Sequence, residues 1–277
     1  MELTSAVCAL IDRVRIQMPM IHCMTNQVTI NDCANAVLAV GGSPIMADAP
    51  EESDAITAHA GALVLNIGQL SPRKLDAMLR SGAQASRTKI PIILDPVGVG
   101  ASPFRADAVK QILERIPISI LRCNRSEAAY IYGLPISAKG IDSDMTLSVS
   151  DGEALACALA NRFSCTVAMT GATDIVADTQ HLYRLEGGHE MLSRVTGMGC
   201  VSSVLCGTYA AVSENTLTAA LAALGMISAA GVRAYETAGQ KGTGSFHIAV
   251  MDALSQLNAQ TLQTYFNITE VPHAKSI

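Results

Sequence analysis

Short apolar runs alternate along this chain with longer segments of helical period, and that alternation restricts the fold more than any other feature of the sequence. A short strand that is apolar throughout must be covered on both faces, and two parallel strands can be joined only by a crossover long enough to carry a helix. The pattern therefore predicts an α/β fold of repeated βαβ units, with helices on both sides of a mainly parallel sheet. Strands are expected at residues 20–23, 44–46, 62–66, 92–95, 118–123 and 166–170, followed by an antiparallel hairpin of residues 175–177 and 181–185. Helices are expected near residues 30–40, 51–60, 72–86, 106–116, 126–132 and 152–163. Two long ones follow Gly199 and Thr216, and a final one follows Gly244.

The chain has 277 residues, more than the usual single domain, but one continuous sheet can reach this size without splitting, so one domain over residues 1–277 is expected. Apolar residues make up 49% of it, enough to bury a core under two helical layers. A formal charge of −5 and the lack of a basic run leave no source of phosphate-backbone attraction, so no nucleic-acid partner is expected. The eight cysteines are scattered and form no CxxC pair, which reads as reduced, buried side chains, not a zinc site. Asp12, Arg13 and Arg15 interrupt the first twenty residues, so no signal peptide is visible and a cytoplasmic location is expected. No charge-free stretch reaches the roughly 20 apolar residues a bilayer requires; the Ala-rich segments are expected to be amphipathic helices, and no membrane partner is expected.

Polar residues gather just past the expected strand ends: Thr25 and Asn26, Asn66 and Gly68, Asp95, Asn124, then Thr170 and Gly171. In an open parallel sheet these ends meet in one crevice, which predicts one composite site. Neither a GxxxxGK[ST] phosphate loop nor a GxGxxG fingerprint is present, so a nucleotide must be held in another way. Thr196-Gly197-Met198-Gly199-Cys200 leads into an apolar helix. Glycines there permit positive φ and close approach, and the helix N-terminus offers free N–H groups to an anion. An ordinary glycine loop before a core helix is the other reading of that segment alone. Asp95 ends a strand beside Pro96 and Gly98, and Asn124 and Glu127 stand three apart at a strand-to-helix junction. These oxygen ligands suit a magnesium–phosphate region, with helix capping as the competing role for Glu127.

The segments TNQVTINDCANAVLAVGGSPIMA, ILDPVGVGAS, NRSE, VAMTGATD, VTGMGC and KGTGSFHIAVMDAL resemble hydroxyethylthiazole kinases over about residues 20–254. The resemblance implies a ribokinase-like three-layer α/β/α fold and ATP-dependent phosphorylation of a thiazole alcohol for thiamine synthesis, with Mg2+. It places Asn26 and Met46 at the thiazole site and Gly197 against the substrate. Arg122 and Thr170 would hold ATP, Asp95 and Glu127 would organise metal and phosphates, and Gly197 and Gly199 would form the anion hole. Cys200 would stand beside the hydroxyethyl oxygen, where other ribokinase-like enzymes carry an aspartate. A homotrimer with sites near the subunit boundaries is also implied. Cys123 departs from the pattern, which has glycine after the arginine, and a side chain there is expected either to crowd the nucleotide or to alter the backbone path. Cysteine-dependent acyl transfer through Cys200 and a non-catalytic nucleotide sensor are the alternatives from other classes. His59 and His247 read as surface or capping residues, and residues 241–244 as an exposed connection.

Overall fold

The structure, a computed structural model, describes residues 2–134 and 148–273. The first half of the chain runs α1 (Glu2–Gln17), β1 (Met20–Met24), α2 (Ile30–Val40), β2 (Ser43–Ile45), α3 (Ser53–Thr57), β3 (Ala62–Asn66), α4 (Pro72–Thr88), β4 (Ile92–Asp95), α5 (Pro103–Arg115), β5 (Ile120–Asn124) and α6 (Arg125–Tyr132). The second half runs α7 (Val149–Phe163), β6 (Thr166–Thr170), β7 (Asp174–Ala177), β8 (Leu182–Gly187), α8 (Met198–Ala210), α9 (Thr216–Ala238), α10 (Thr243–Gln256), α11 (Ala259–Leu262) and β9 (Phe266–Val271).

The nine strands of the described residues form one sheet in the order β2-β1-β3-β4-β5-β6-β7-β8-β9. The pairings from β2 to β6 are parallel, and β7, β8 and β9 close the sheet antiparallel, as the expected hairpin required. Helices α1, α2, α8, α9 and α10 bury one face, and α4, α5, α6 and α7 bury the other. Strand alternation divides the apolar residues accordingly. Val64, Ile93 and Ile120 pack under α8, while Leu65, Leu94 and Leu121 pack under the opposite layer.

Local signals account for most boundaries. Ser71 and Ser102 cap α4 and α5, each followed by a proline whose missing N–H costs nothing at a helix start. Other expectations shift. Met46 lies just beyond β2, the expected helix at 51–60 shortens to Ser53–Thr57, and α10 begins at Thr243, before Gly244. Helix α1 and strand β9 were not anticipated. Val7, Leu10, Ile11 and Val14 carry the helical period of α1, but β9 has few buried positions, and its pairing with β8 is long-range.

Helix α9 departs from the amphipathic expectation. Together with its 3₁₀ extension to Lys241 it is long and apolar enough to cross a membrane by length and composition, with a mean hydropathy of 1.5, and 83% of its apolar window is buried in the fold. It contacts α8, α10, α1 and strands of the sheet, so nearly its whole circumference is core.

Candidate active site

Strand parity brings the polar residues together. Asn66, Asp95, Arg122 and Thr170 share the parity of Val64, Ile93, Ile120 and Ala168, so all four side chains leave the carboxyl ends of β3, β4, β5 and β6 on the α8 side. Register reinforces this: Asn66 pairs with Asp95 across β3 and β4, and Asn124 with Thr170 across β5 and β6. Helix α8 starts over the same edge and adds Gly199, Cys200 and Ser203.

Asp95 is fully buried. Its Oδ2 accepts from Asn66 Nδ2 at 2.8 Å and from Ser203 Oγ at 2.6 Å, whereas Oδ1 has no hydrogen-bond partner and lies 3.6 Å from Arg122 Nη1. Burial pushes its carboxyl upward, while Arg122, Ser203 and Asn66 pull the other way. Burial opposes the charge of Arg122, but Asp95 and Glu127 more than offset it and raise the guanidinium further. Arg122 Nη2 also donates to Thr170 Oγ1 at 2.6 Å. The arginine is thus held between β4 and β6, as a fixed cation at the strand ends.

Glu127 is more committed than its spacing suggested. One oxygen accepts from the Gly98 N–H at 3.0 Å and the other from the Asn124 N–H at 2.9 Å, while Asn124 Oδ1 accepts from the Glu127 N–H at 2.8 Å. This capping box at the start of α6 also fixes the turn after β4. Burial and the nearby Asp95 raise the Glu127 carboxyl. The competing structural role is therefore realised in the geometry.

Gly197 caps α8 with φ of +89°, and a Cβ there would stand 2.6 Å from Thr29 Cγ2. Both conditions require glycine. A Cβ on Gly199 would meet Arg122 Nη1 at 2.7 Å, so the bare backbone is what allows the guanidinium to lie against the first turn of α8. Cys200 follows, buried, with Sγ 3.3 Å from the donating Asn26 Nδ2. Burial and Asp95 raise its thiol above the ordinary range, so the helix N-terminus does not make it a ready thiolate. His22 spends its two ring nitrogens on Thr57 and the Ala47 carbonyl, and His189 stacks on Tyr235 with ring centroids 3.6 Å apart. Neither histidine is positioned to activate Cys200 for acyl transfer.

A cavity of about 560 Å³ opens beside these groups, lined by Arg122, Thr170, Asp174, His189, Met198 and Gly199 among others. Asn26, Met46 and Cys200 do not line it. The cavity thus reaches the first turn of α8 at Gly199, and Asn26 meets the next residue of that turn, Cys200. Met46 is half-buried and packs against the α8-side core. The expected crowding by Cys123 does not occur: parity turns its side chain into the opposite core, where it is fully buried beside Leu121 and Ala128. His247 is not a plain surface residue, since its Nε2 lies 3.0 Å from Asp32 Oδ1.

Ser203, Asp174 and Arg105 escaped the sequence reading. Ser203 lies four residues after Gly199 in a helix of mostly small and apolar residues, one of several hydroxyls there, and its position over Asp95 is set by tertiary packing. Arg105 reaches from α5 to the carbonyls of Val97 and Gly68, each at 2.6 Å, and ties together the turns after β4 and β3. Among the described residues no group of three or more His, Cys, Asp or Glu side chains is arranged to hold a metal ion. Asp95 Oδ1 accepts no hydrogen bond and faces Arg122, so this carboxylate fits at most an ion held mainly by phosphates and water.

The hydroxyethylthiazole kinase family profile matches residues 11–260. The chain belongs to this family. It is 44% identical to the hydroxyethylthiazole kinase of Ruminiclostridium cellulolyticum over 271 residues, covering 98% of this chain and 99% of that protein. It also resembles the solved hydroxyethylthiazole kinase of Pyrococcus horikoshii OT3, with a TM-score of 0.88, 36% identity and coverage of 96% and 99%. The pyridoxal kinase of Staphylococcus aureus, solved with ADP, shares the fold at a TM-score of 0.67 and 13% identity, over 91% of this chain and 98% of that one. The fold is ribokinase-like, and the chain is a kinase of small molecules, a class that transfers a phosphoryl group from ATP.

Proposed function

We propose that this protein uses magnesium-ATP to phosphorylate the hydroxyl of 4-methyl-5-(2-hydroxyethyl)thiazole, within thiamine synthesis or salvage. The observation that carries the reading is the contact of Asn26 with Cys200 at the first turn of α8, in a chain of this family. It puts an acceptor-side residue against the helix end that faces the phosphate-side cavity. The whole chain acts as one kinase unit, supported by the single sheet that joins its described residues.

Alignment does most of the work in such a transfer. Asn26 and Met46 hold the thiazole ring and Gly197 the chain that bears its hydroxyl. Arg122 and Thr170 hold the nucleotide phosphates, and the N–H groups at Gly197 and Gly199 receive the negative charge that develops. Magnesium, when bound, would neutralise phosphate charge; Asp95 would help to hold it, and Glu127 would act indirectly by fixing the Gly98 turn. Cys200 positions the hydroxyl, a role supported by burial and Asp95, which raise its thiol and disfavour the thiolate. We place the enzyme in the cytoplasm as a homotrimer with its sites near subunit boundaries.

Purified protein incubated with magnesium-ATP and the thiazole alcohol should form ADP and phosphorylated thiazole, with hydroxymethylpyrimidine and pyridoxal as parallel acceptors. Turnover confined to another acceptor would keep the fold and overturn the specificity. ATP binding without alcohol-dependent ADP formation would identify a sensor.

A further inference from the structure

Lys74 occupies a place where elementary electrostatics disfavours a cation. It stands in the first turn of α4, with its N–H donating to the capping Ser71 Oγ at 3.2 Å, so the positive end of the helix dipole acts on it. Its side chain is only 9% exposed, and burial lowers its pKa while Asp48 pushes it back up. An apolar residue would serve the packing of α4 as well or better, because buried ion pairs add little stability over an apolar substitute of similar volume.

What the ammonium touches gives it a use. Nζ donates to the carbonyl of Thr25, the residue just before Asn26, and lies 3.8 Å from Asp48 Oδ2, two residues beyond Met46. One side chain therefore joins the two loops that carry the acceptor-side residues. The same Met46–Asp48 stretch is held from its other flank by His22, whose Nε2–H donates to the Ala47 carbonyl at 2.7 Å. Burial lowers the pKa of His22, and the neutral ring must keep its proton on Nε2 to satisfy that carbonyl.

We infer that Lys74 is a positioning residue for the acceptor alcohol, setting the separation between the Asn26 loop and the Met46 loop. The inference rests on the thiazole-kinase reading above. It is a role in ground-state recognition of the acceptor, distinct from phosphate handling at Arg122.

The experiment compares wild type with Lys74→Met, Lys74→Arg and Asp48→Asn, measuring KM for the thiazole alcohol and for ATP together with thermal unfolding. Lys74→Met should raise the acceptor KM about tenfold, the effect of losing one charge-assisted hydrogen bond, and leave the ATP KM within about twofold. Lys74→Arg should recover part of that loss, and Asp48→Asn should show a smaller rise in the same direction. Unchanged acceptor KM in a folded Lys74→Met protein, or an ATP KM that rises in step, overturns the inference. Asp48 is 57% exposed, so if Lys74→Met does not fold, Asp48→Asn decides, and an unchanged acceptor KM there is equally fatal. Failure of wild type to phosphorylate the thiazole alcohol would sink the functional reading separately. The Lys74 variants would then be judged by calorimetric binding of that alcohol, where equal affinity in wild type and Lys74→Met rejects the role.

Discussion

Replacing Asp174 with asparagine isolates the effect of holding a carboxylate in the cavity beside Arg122 and Thr170. Asp174 opens β7, is 9% exposed, and accepts the Gly171 N–H at 2.9 Å, an acceptor role that an asparagine oxygen can keep. Burial pushes its pKa from 3.8 up to about 6, against smaller opposite pulls from Gly171 and Arg122. The folded state thus prefers the neutral acid. That preference contributes its full stability below about pH 3.8 and is lost as pH rises through about 6. A shift of about two units corresponds to about 3 kcal/mol, less what is already lost at the lower pH measured. The difference in unfolding free energy between Asp174→Asn and wild type should therefore change by about 2–3 kcal/mol from pH 4 to pH 8, in favour of the variant at pH 8. Urea unfolding without nucleotide, followed at both pH values, measures it. A difference that stays flat with pH would show that the carboxylate remains ionised in the fold, refuting the argument that burial outweighs Arg122.

Three further outcomes follow from the same geometry. Gly199→Ala places a Cβ 2.7 Å from Arg122 Nη1, and the guanidinium cannot withdraw without losing Thr170, so steady-state kinetics should show kcat/KM for ATP falling about 10–100-fold, the range for losing one charge-assisted hydrogen bond. Asp95→Ala leaves Arg122, Ser203 and Asn66 without their shared acceptor and should reduce unfolding free energy by about 3–5 kcal/mol in denaturant titrations, with activity abolished. Cys200→Asp should retain measurable kinase activity, because aspartate supplies an acceptor at the same place; total loss in a folded protein would reject a positioning role for Cys200.

Much of the site was legible because strands announce themselves and their ends are fixed by the change from apolar to polar residues. Asn66, Asp95 and Thr170 could each be placed at a strand end from local pattern alone, whereas Arg122 came only from the family resemblance, and convergence of the carboxyl ends at the sheet edge brought them together. The glycines at 197 and 199 were legible in part: a tight turn or a close approach accounts for them before a helix of small and apolar residues, and so does an ordinary loop, until the positive φ of Gly197 and the contact of Gly199 with Arg122 decide between the two. Ser203 was hidden because its partner Asp95 is 108 residues away, and a hydroxyl in a helix gives no sign of what it faces. Glu127 was placed correctly along the chain, but whether its oxygens were free or spent on Gly98 and Asn124 depended on the path of a turn from another strand. Residues 92–95 and 166–170 were read with the observed boundaries, whereas β9 was missed because half-exposed edge strands lack a strong apolar signature.

The sequence by itself determined the alternation of strand and helix, the parallel crossovers and the set of polar residues available at the strand ends, all consequences of local periodicity and backbone sterics. Tertiary structure alone decided that Cys123 enters the far core, that α9 is enclosed on nearly every side, that Asp95 turns one oxygen to Arg122 without a hydrogen bond, and that Lys74 spans two loops. It also raised the Asp174 carboxyl and the Cys200 thiol. Desolvation and Coulomb interactions depend on distances through space between residues remote along the chain, and those distances exist only once the layers have packed.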